Sequence, residues 1–315
     1  MTRTQLEERK LFALERGVPL RLALTPCDLA ALFILSVIFA TLTVCLLFGR
    51  GLVSDWLFHG ALLLGFAALA VAMARCEASS WVPYSRALLT VGTMCILYVT
   101  LSRVPFAAIP WSADPLLDRL DRILFLGTSP VLWAEGHATY ASVEFFSFIY
   151  AIYIPYLYLS ILLGCVGRPP RERDVFMGSM AIAYALGFLG YLLAPAHGPV
   201  VYLAQEFQGP LEGGFFHRLV VESIESVGGP HGAFPSLHIG SATVACLFDL
   251  RYNRLRGLTY LPIVFLIAVA TVVVRYHYVV DLAAGVLVAA FASWAGRRWQ
   301  ERWMRRREAF REDPS

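Results

Sequence analysis

The sequence predicts an all-α fold, a polytopic membrane helix bundle of about eight transmembrane helices. Three observations carry that expectation. The chain is 58% hydrophobic and 16% charged with a mean hydropathy of +0.62, too apolar for one soluble domain. Apolar stretches of about 20 residues, the length that crosses a bilayer, recur along it. The charged residues gather between those stretches. Spans are expected at roughly 28–48, 56–74, 86–104, 143–165, 174–195, 233–250, 258–275 and 277–296. No repeat of about 20 to 50 residues is evident.

The segment 1–27 mixes Arg3, Arg9, Lys10, Arg16 and Arg21 with Glu7, Glu8 and Glu15 and lacks the continuous apolar core of a signal peptide, so the first span is expected to act as an uncleaved anchor. Residues 28–82 hold two extra N-terminal helices, 83–296 the membrane core, and 297–315 a basic tail.

Charge placement sets the orientation. Of 26 basic residues only Lys10 is a lysine. One alternate set of loops holds Arg75 and Arg86, then Arg168, Arg171 and Arg173, then Arg251, Arg254 and Arg256, and finally the tail. The positive-inside rule makes that set and both termini cytoplasmic, in a cell or inner membrane. The opposite face carries Arg50, Arg103, Arg119, Arg122, Arg218 and Arg275, the first loop arginines there being accompanied by Asp114, Asp118, Asp121 and Glu135.

Two outer segments are more than linkers. From Asp114 to Leu126, the residues Leu116, Leu117, Leu120, Ile123 and Leu124 recur at helical spacing, which predicts a short helix in the outer interface with a charged opposite face. A connector with a solvated charged face and a functional lid both fit. Residues 196–232 are rich in glycine and proline, with a short helix expected over Phe215–Val227. The six cysteines lie in or beside spans without CxxC spacing and read as small core residues.

The polar residues that carry chemistry concentrate between Gly228 and Gly285. His277 and Asp281 are four apart, so on a helix they share a face, and the carboxylate can fix one imidazole nitrogen while leaving the other basic. Such an imidazole serves as nucleophile or general base, and ionisable groups at the end of an apolar span tend to be functional. Gly232, Ala233, Phe234, Pro235, Ser236, Leu237 and His238 read as a helix start, where free amides and the dipole favour an anion, Ser236 adds a hydroxyl, and His238 a titratable proton. A helix cap with a hydrogen-bonded core histidine is the alternative. Arg275 pairs either with a phosphate or with Asp281, or anchors the chain at the interface; Arg103 is a second phosphate candidate. His197 and His231 either line the pocket or hold their loops.

Pro235, Ser236, Leu237 and His238, followed by Arg275, Tyr276, His277, Tyr278, Val279, Val280 and Asp281, resemble the second and third signature motifs of the type 2 phosphatidic acid phosphatase superfamily. Leucine between the serine and the histidine resembles the branch of inositol phosphorylceramide synthase and its bacterial relatives, the inositolphosphotransferases. The resemblance is strong over residues 228–285 and leaves the first two spans uncovered. It implies that the last six spans form the catalytic core, that His277 becomes a phosphohistidine oriented by Asp281, that His238 protonates the leaving oxygen, and that Ser236 and nearby amides hold the phosphoryl oxygens. No cofactor or metal is implied. The implied partners are the bilayer, a lipid phosphate or phospholipid donor and a lipid alcohol acceptor, with no nucleic acid. The superfamily's first motif, a lysine with a later arginine and proline, has no outer-face counterpart: Arg168 and Pro169 fall on the other face. The phosphatase-type arginine six residues before the third-motif histidine is Thr271 here. A lipid phosphotransferase, a lipid phosphate or polyprenyl diphosphate phosphatase, and a non-enzymatic transporter are the three function classes to separate.

Overall fold

The computed structural model describes residues 19–76, 80–101 and 111–312. Among these the chain is helical, without a strand. Three helices come first: α1 (Pro26–Leu47), α2 (Val53–Arg75) and α3 (Val82–Thr100). The short α4 (Asp114–Leu124) and α5 (Pro130–Gly136) follow, then α6 (Tyr140–Cys165), α7 (Pro170–Leu193) and α8 (Phe215–Ser226). The chain closes with α9 (Leu237–Tyr252), α10 (Arg254–Val273) and α11 (Val279–Glu312).

Seven of these helices are long and apolar enough to cross a membrane, against the eight expected. The exception is α9, whose 16 residues reach about 24 Å where a bilayer core is about 30 Å thick. It begins at Leu237 rather than near 233, because Ser236 is the N-cap and Ala233–Pro235 run into it without helical structure. Pro235 therefore precedes the cap instead of opening the helix, and the Phe234–Pro235 peptide bond is cis. The inner helix of the bundle is α7: 78% of its most apolar window is buried, against 28–39% for the other spans. Ile239, Ala242, Val244, Ala245 and Phe248 of α9 pack into the same core as Phe176, Met180 and Ala183 of α7.

Small residues permit the closest approaches. A Cβ on Gly285 of α11 would strike the Ser236 carbonyl, and one on Gly190 of α7 would strike Pro235. Ser236 is thus wedged between two helices, and its position is set by what those helices lack.

The last helix also departs from expectation. It starts at Val279, two residues after His277, and continues for 34 residues, so residues 297–312 extend α11 rather than forming a separate tail. Trp303 and Gln300 are buried there, and Arg171 of α7 pairs with Glu301 at 3.3 Å. At that end of the bundle Asp249 holds Arg256 and, at 3.5 Å, Arg168. Among the cysteines, Cys27, Cys45, Cys165 and Cys246 are buried as expected, whereas Cys76 and Cys95 are exposed.

The amphipathic segment forms α4, but with its faces reversed from a solvated connector. Asp114, Asp118 and Asp121 are 1%, 8% and 0% exposed, while Leu116, Ile123 and Leu124 are 56%, 62% and 64% exposed. The acids bind protein: Asp121 accepts the backbone N–H groups of Val279 (2.8 Å) and Val280 (2.9 Å), the first amides of α11. A helix start leaves such amides unpaired, and a carboxylate satisfies both the donors and the dipole. Asp114 accepts from the amides of His197 and Gly198 and from the Tyr278 hydroxyl at 3.1 Å. Apolar side chains facing outward and acids facing inward suit a helix lying against lipid.

Two outcomes follow from this packing. Asp121→Ala strands two buried N–H groups, and thermal unfolding in detergent should show a loss on the order of 3 kcal/mol, with Asp121→Asn losing less because one acceptor oxygen remains; an unchanged melting temperature in both would contradict the clamp. Gly285→Val should displace Ser236 and lower thermal stability, whereas Gly65→Ala, at a glycine with open space around it, should not.

Candidate active site

Asp281 occupies the third position of α11, and its side chain reaches back to accept the Tyr278 amide at 3.1 Å, the return half of a capping box. The same oxygen, Oδ2, lies 3.2 Å from Nδ1 of His277. His277 is outside the helix, so the four-residue spacing works across the helix start rather than along a helical face. The carboxylate is fully buried and its Oδ1 has no hydrogen-bond partner among the described residues. With Nδ1–H donating to Asp281, the lone pair of His277 sits on Nε2.

That Nε2 faces the second histidine. It lies 3.2 Å from Nδ1 of His238 and 3.4 Å from Oγ of Ser236, and the two imidazoles meet edge to face. Ser236 Oγ also accepts the Ile239 amide at 3.4 Å as the N-cap of α9, which leaves its proton free to donate. Burial pushes the His277 imidazole down to about 4, with the Ala233 carbonyl pulling the other way, so the ring is neutral at physiological pH. His238 is only half-buried; its ring packs against Tyr150 and Tyr153 of α6 at centroid distances of 5.0 and 4.5 Å. The Tyr153 hydroxyl is tied to Ser241 at 2.8 Å.

The remaining candidates divide. Arg275 is buried with a positive φ of 67°, but its guanidinium meets neither Asp281 nor the histidine pair. It donates to Glu135 at 2.8 Å and to the Gly209 carbonyl at 2.9 Å and lies over Phe207. It therefore ties α5 to the 196–232 segment, and of the partners expected from sequence Asp281 is not the one it meets. His231 places one ring nitrogen 2.7 Å from the Gly229 carbonyl and the other 3.4 Å from that of Tyr98, which makes it a loop-holding residue. His197 is held through its amide by Asp114, with its ring 3.8 Å from the same carboxylate. Arg103 lies outside the described residues.

Sequence reasoning missed the residues that hold the pair from a distance: Asp114, Asp121, Tyr150 and Tyr153. The spacing of Asp114, Asp118 and Asp121 was the available signal, since it puts three acids on one helical face. Glu144 works similarly for the outer segment, accepting from the amides of Gly214, Phe216 and His217 at the start of α8. Among the described residues no group of three or more histidine, cysteine or carboxylate side chains is arranged to hold a metal.

An apolar groove of about 630 Å³ runs between α5, α10 and the first turn of α11, lined by Phe125, Trp133, Phe265, Val272, Val279 and Leu282. Val279 and Leu282 belong to the same first turn of α11 as Asp281 but to a different face of it.

Residues 116–295 match the PAP2 superfamily. A PA-phosphatase related-family protein of Dictyostelium discoideum is 32% identical over 125 residues, which cover 38% of this chain and 23% of that protein. This chain thus spans less than a quarter of that relative's length. No solved structure matches. The matched segment runs from α4 into α11 and contains both histidines, Ser236 and Asp281, over more than half the chain; the protein belongs to the PAP2 superfamily.

Proposed function

We propose that this protein is an integral membrane lipid phosphotransferase of the inositol phosphorylceramide synthase-like type, working through a phosphohistidine on His277. The observation that carries the reading is His277 itself: buried, neutral, fixed at Nδ1 by Asp281 and with Nε2 facing His238 and Ser236. Superfamily membership supports chemistry on phosphate esters.

Nε2 attacks phosphorus of the donor lipid, the N–P bond forms, and the bond from phosphorus to the leaving oxygen breaks. That oxygen takes a proton from His238, which the entering anionic donor has drawn into its protonated form and which now becomes neutral. The acceptor hydroxyl then attacks phosphorus, His238 recovers a proton from it, and the N–P bond breaks to restore His277. At 3.2 Å the two imidazoles leave no room for a phosphoryl group between them, so the half-buried His238 ring swings aside as substrate enters. Ser236 Oγ and the opening amides of α9 receive the phosphoryl oxygens. Arg275 acts indirectly, by anchoring the outer segment through Glu135. The groove starting at Val279 and Leu282 takes a lipid chain of the substrate. The orientation that puts the histidines on the extracytoplasmic face rests on the arginine-rich loops at the opposite helix ends.

A second reading, a lipid phosphate or polyprenyl diphosphate phosphatase, uses the same residues with water as acceptor, and the name of the Dictyostelium relative favours it. The leucine at position 237 and the apolar tyrosine rings packed on one side of His238 support a lipid alcohol as acceptor.

Product analysis on purified protein in vesicles separates them. Labelled phosphatidylinositol with ceramide or another lipid alcohol should yield a labelled acceptor with little free phosphate; release of phosphate from phosphatidic acid or polyprenyl diphosphate with no acceptor present would make the protein a phosphatase. His277→Ala should abolish either activity, at least a thousandfold, with the bundle intact by circular dichroism, and near-normal turnover in that variant would sink the assignment. Because protonation of His277 removes its lone pair, and its folded value is depressed to about 4, the acid limb of kcat/KM should fall near pH 4. A limb near the ordinary imidazole value of about 6.5 would place His277 in a far wetter setting than its burial indicates.

A further inference from the structure

A second cleft, of about 430 Å³, opens among α7, α9 and α11 at the end of the bundle away from the histidines. Arg251, which lines it, stands 13 residues along α9 from His238, or about 20 Å up the helix axis. Where the cleft meets α7, Gly296 of α11 comes down onto Ser179, and a Cβ at 296 would strike that serine. Leu247 and Leu250 of α9 and Ala290 and Trp294 of α11 line it with apolar groups, while Arg251 and Arg297 add two guanidinium groups. Both α9 and α11 start at the histidine end, and on each the arginine follows the apolar residues. The polar end of the cleft therefore lies toward the membrane surface and the apolar end toward the membrane interior.

Most arginines near this end of the bundle are already matched. Asp249 holds Arg256 and Arg168, Glu301 pairs with Arg171, and Asp174 with Arg173. Arg251 and Arg297 have no carboxylate partner among the described residues, and Asp249, the one acid of α9, is taken by others. The Arg251 guanidinium lies 5.8 Å from the centre of the Tyr252 ring, which leaves its donors for another group. A helix dipole accounts for one cation in the last turn of α9, but not for Arg297 in the middle of α11. Ser293, one turn before Arg297, lines the same cleft with a buried Oγ that has no hydrogen-bond partner among the described residues.

Two guanidinium groups and a hydroxyl require acceptor oxygens that carry negative charge, and the apolar walls require hydrocarbon. An anionic phospholipid joins both in one molecule, and basic pockets between membrane helices recruit such headgroups. Trp294, half exposed beside the arginines, suits the boundary between headgroup and chain. The volume is that of a small ligand site, which takes one chain of a two-chain lipid and leaves the other in the bilayer.

We propose that this cleft binds an anionic phospholipid of the leaflet opposite the histidines, with its phosphate between Arg251 and Arg297 and one acyl chain against Leu247, Leu250 and Ala290. The lipid fills the space that α9, shorter than the bilayer core, leaves between its longer neighbours. The site is independent of the histidine mechanism and stands or falls separately.

The test is native mass spectrometry of the full chain released from micelles that contain equal amounts of phosphatidylglycerol and phosphatidylcholine. One phosphatidylglycerol should be retained at least fivefold in preference to phosphatidylcholine. Arg251→Gln combined with Arg297→Gln should lower that retention at least fivefold. Ala290→Phe, at an exposed helix position, fills the apolar end without touching a charge and should lower it as well. Arg298→Gln combined with Arg302→Gln removes the same charge from exposed positions outside the cleft and should leave it unchanged. Excess glycerol 3-phosphate should not displace the lipid. Equal retention of the two lipids, an equal loss in the Arg298 and Arg302 variant, full retention in Ala290→Phe, or displacement by glycerol 3-phosphate would each overturn the proposal.

Discussion

One carboxylate oxygen holds the candidate site together. Oδ2 of Asp281 caps the amide of Tyr278 and lies at hydrogen-bond distance from Nδ1 of His277. The cap starts the last helix and the imidazole contact aims the proposed nucleophile, so helix position and ring orientation cannot vary independently. Asp121, from a different helix, secures the next two amides of the same turn. Three consecutive amides at the start of α11 are thereby satisfied by two buried acids from separate parts of the chain. The strength of such charge-assisted bonds in a poorly solvated setting explains how a residue outside any helix keeps a fixed geometry.

The surroundings extend the same economy of means. Asp114 ties the Tyr278 hydroxyl to the turn at His197 and Gly198, while Glu135 and Arg275 tie α5 to the outer segment. Outer loops in a bundle of this kind have little apolar core of their own, and here buried acids and a buried arginine replace it. Helix α4 turns Leu116, Ile123 and Leu124 outward and its aspartates inward, where amide donors meet them, a pattern that suits a lipid-facing helix.

Much of this was legible in the sequence. Apolar runs located the helices, since a bilayer imposes length and hydropathy on each span. The pairing of His277 with Asp281, and the approach of His238 from the start of α9, followed from spacing plus a hairpin. The helix start at Leu237 was misjudged because Pro235 suits a first turn as well as the residue before a cap. The N-terminus of α11 was misplaced by two residues for a related reason: Asp281 is a capping residue, and a four-residue spacing does not say whether both partners lie inside the helix. The Glu135 partner of Arg275 is not legible in the sequence because it lies 140 residues away, a contact that only the folded chain creates. The solvated reading of α4 failed because amphipathic periodicity fixes which residues share a face, not which medium meets that face.

The central claim is that Nε2 of His277 carries the phosphoryl group between donor and acceptor. The direct measurement is acid-free rapid quenching of the protein with donor lipid labelled at phosphorus, followed by peptide mass spectrometry. The account predicts an acid-labile, base-stable phosphoryl adduct on the peptide containing residue 277, absent from His277→Ala and longer-lived when acceptor is withheld. Turnover with no adduct at 277 at any quench time, or label on another residue that survives His277→Ala, would contradict it.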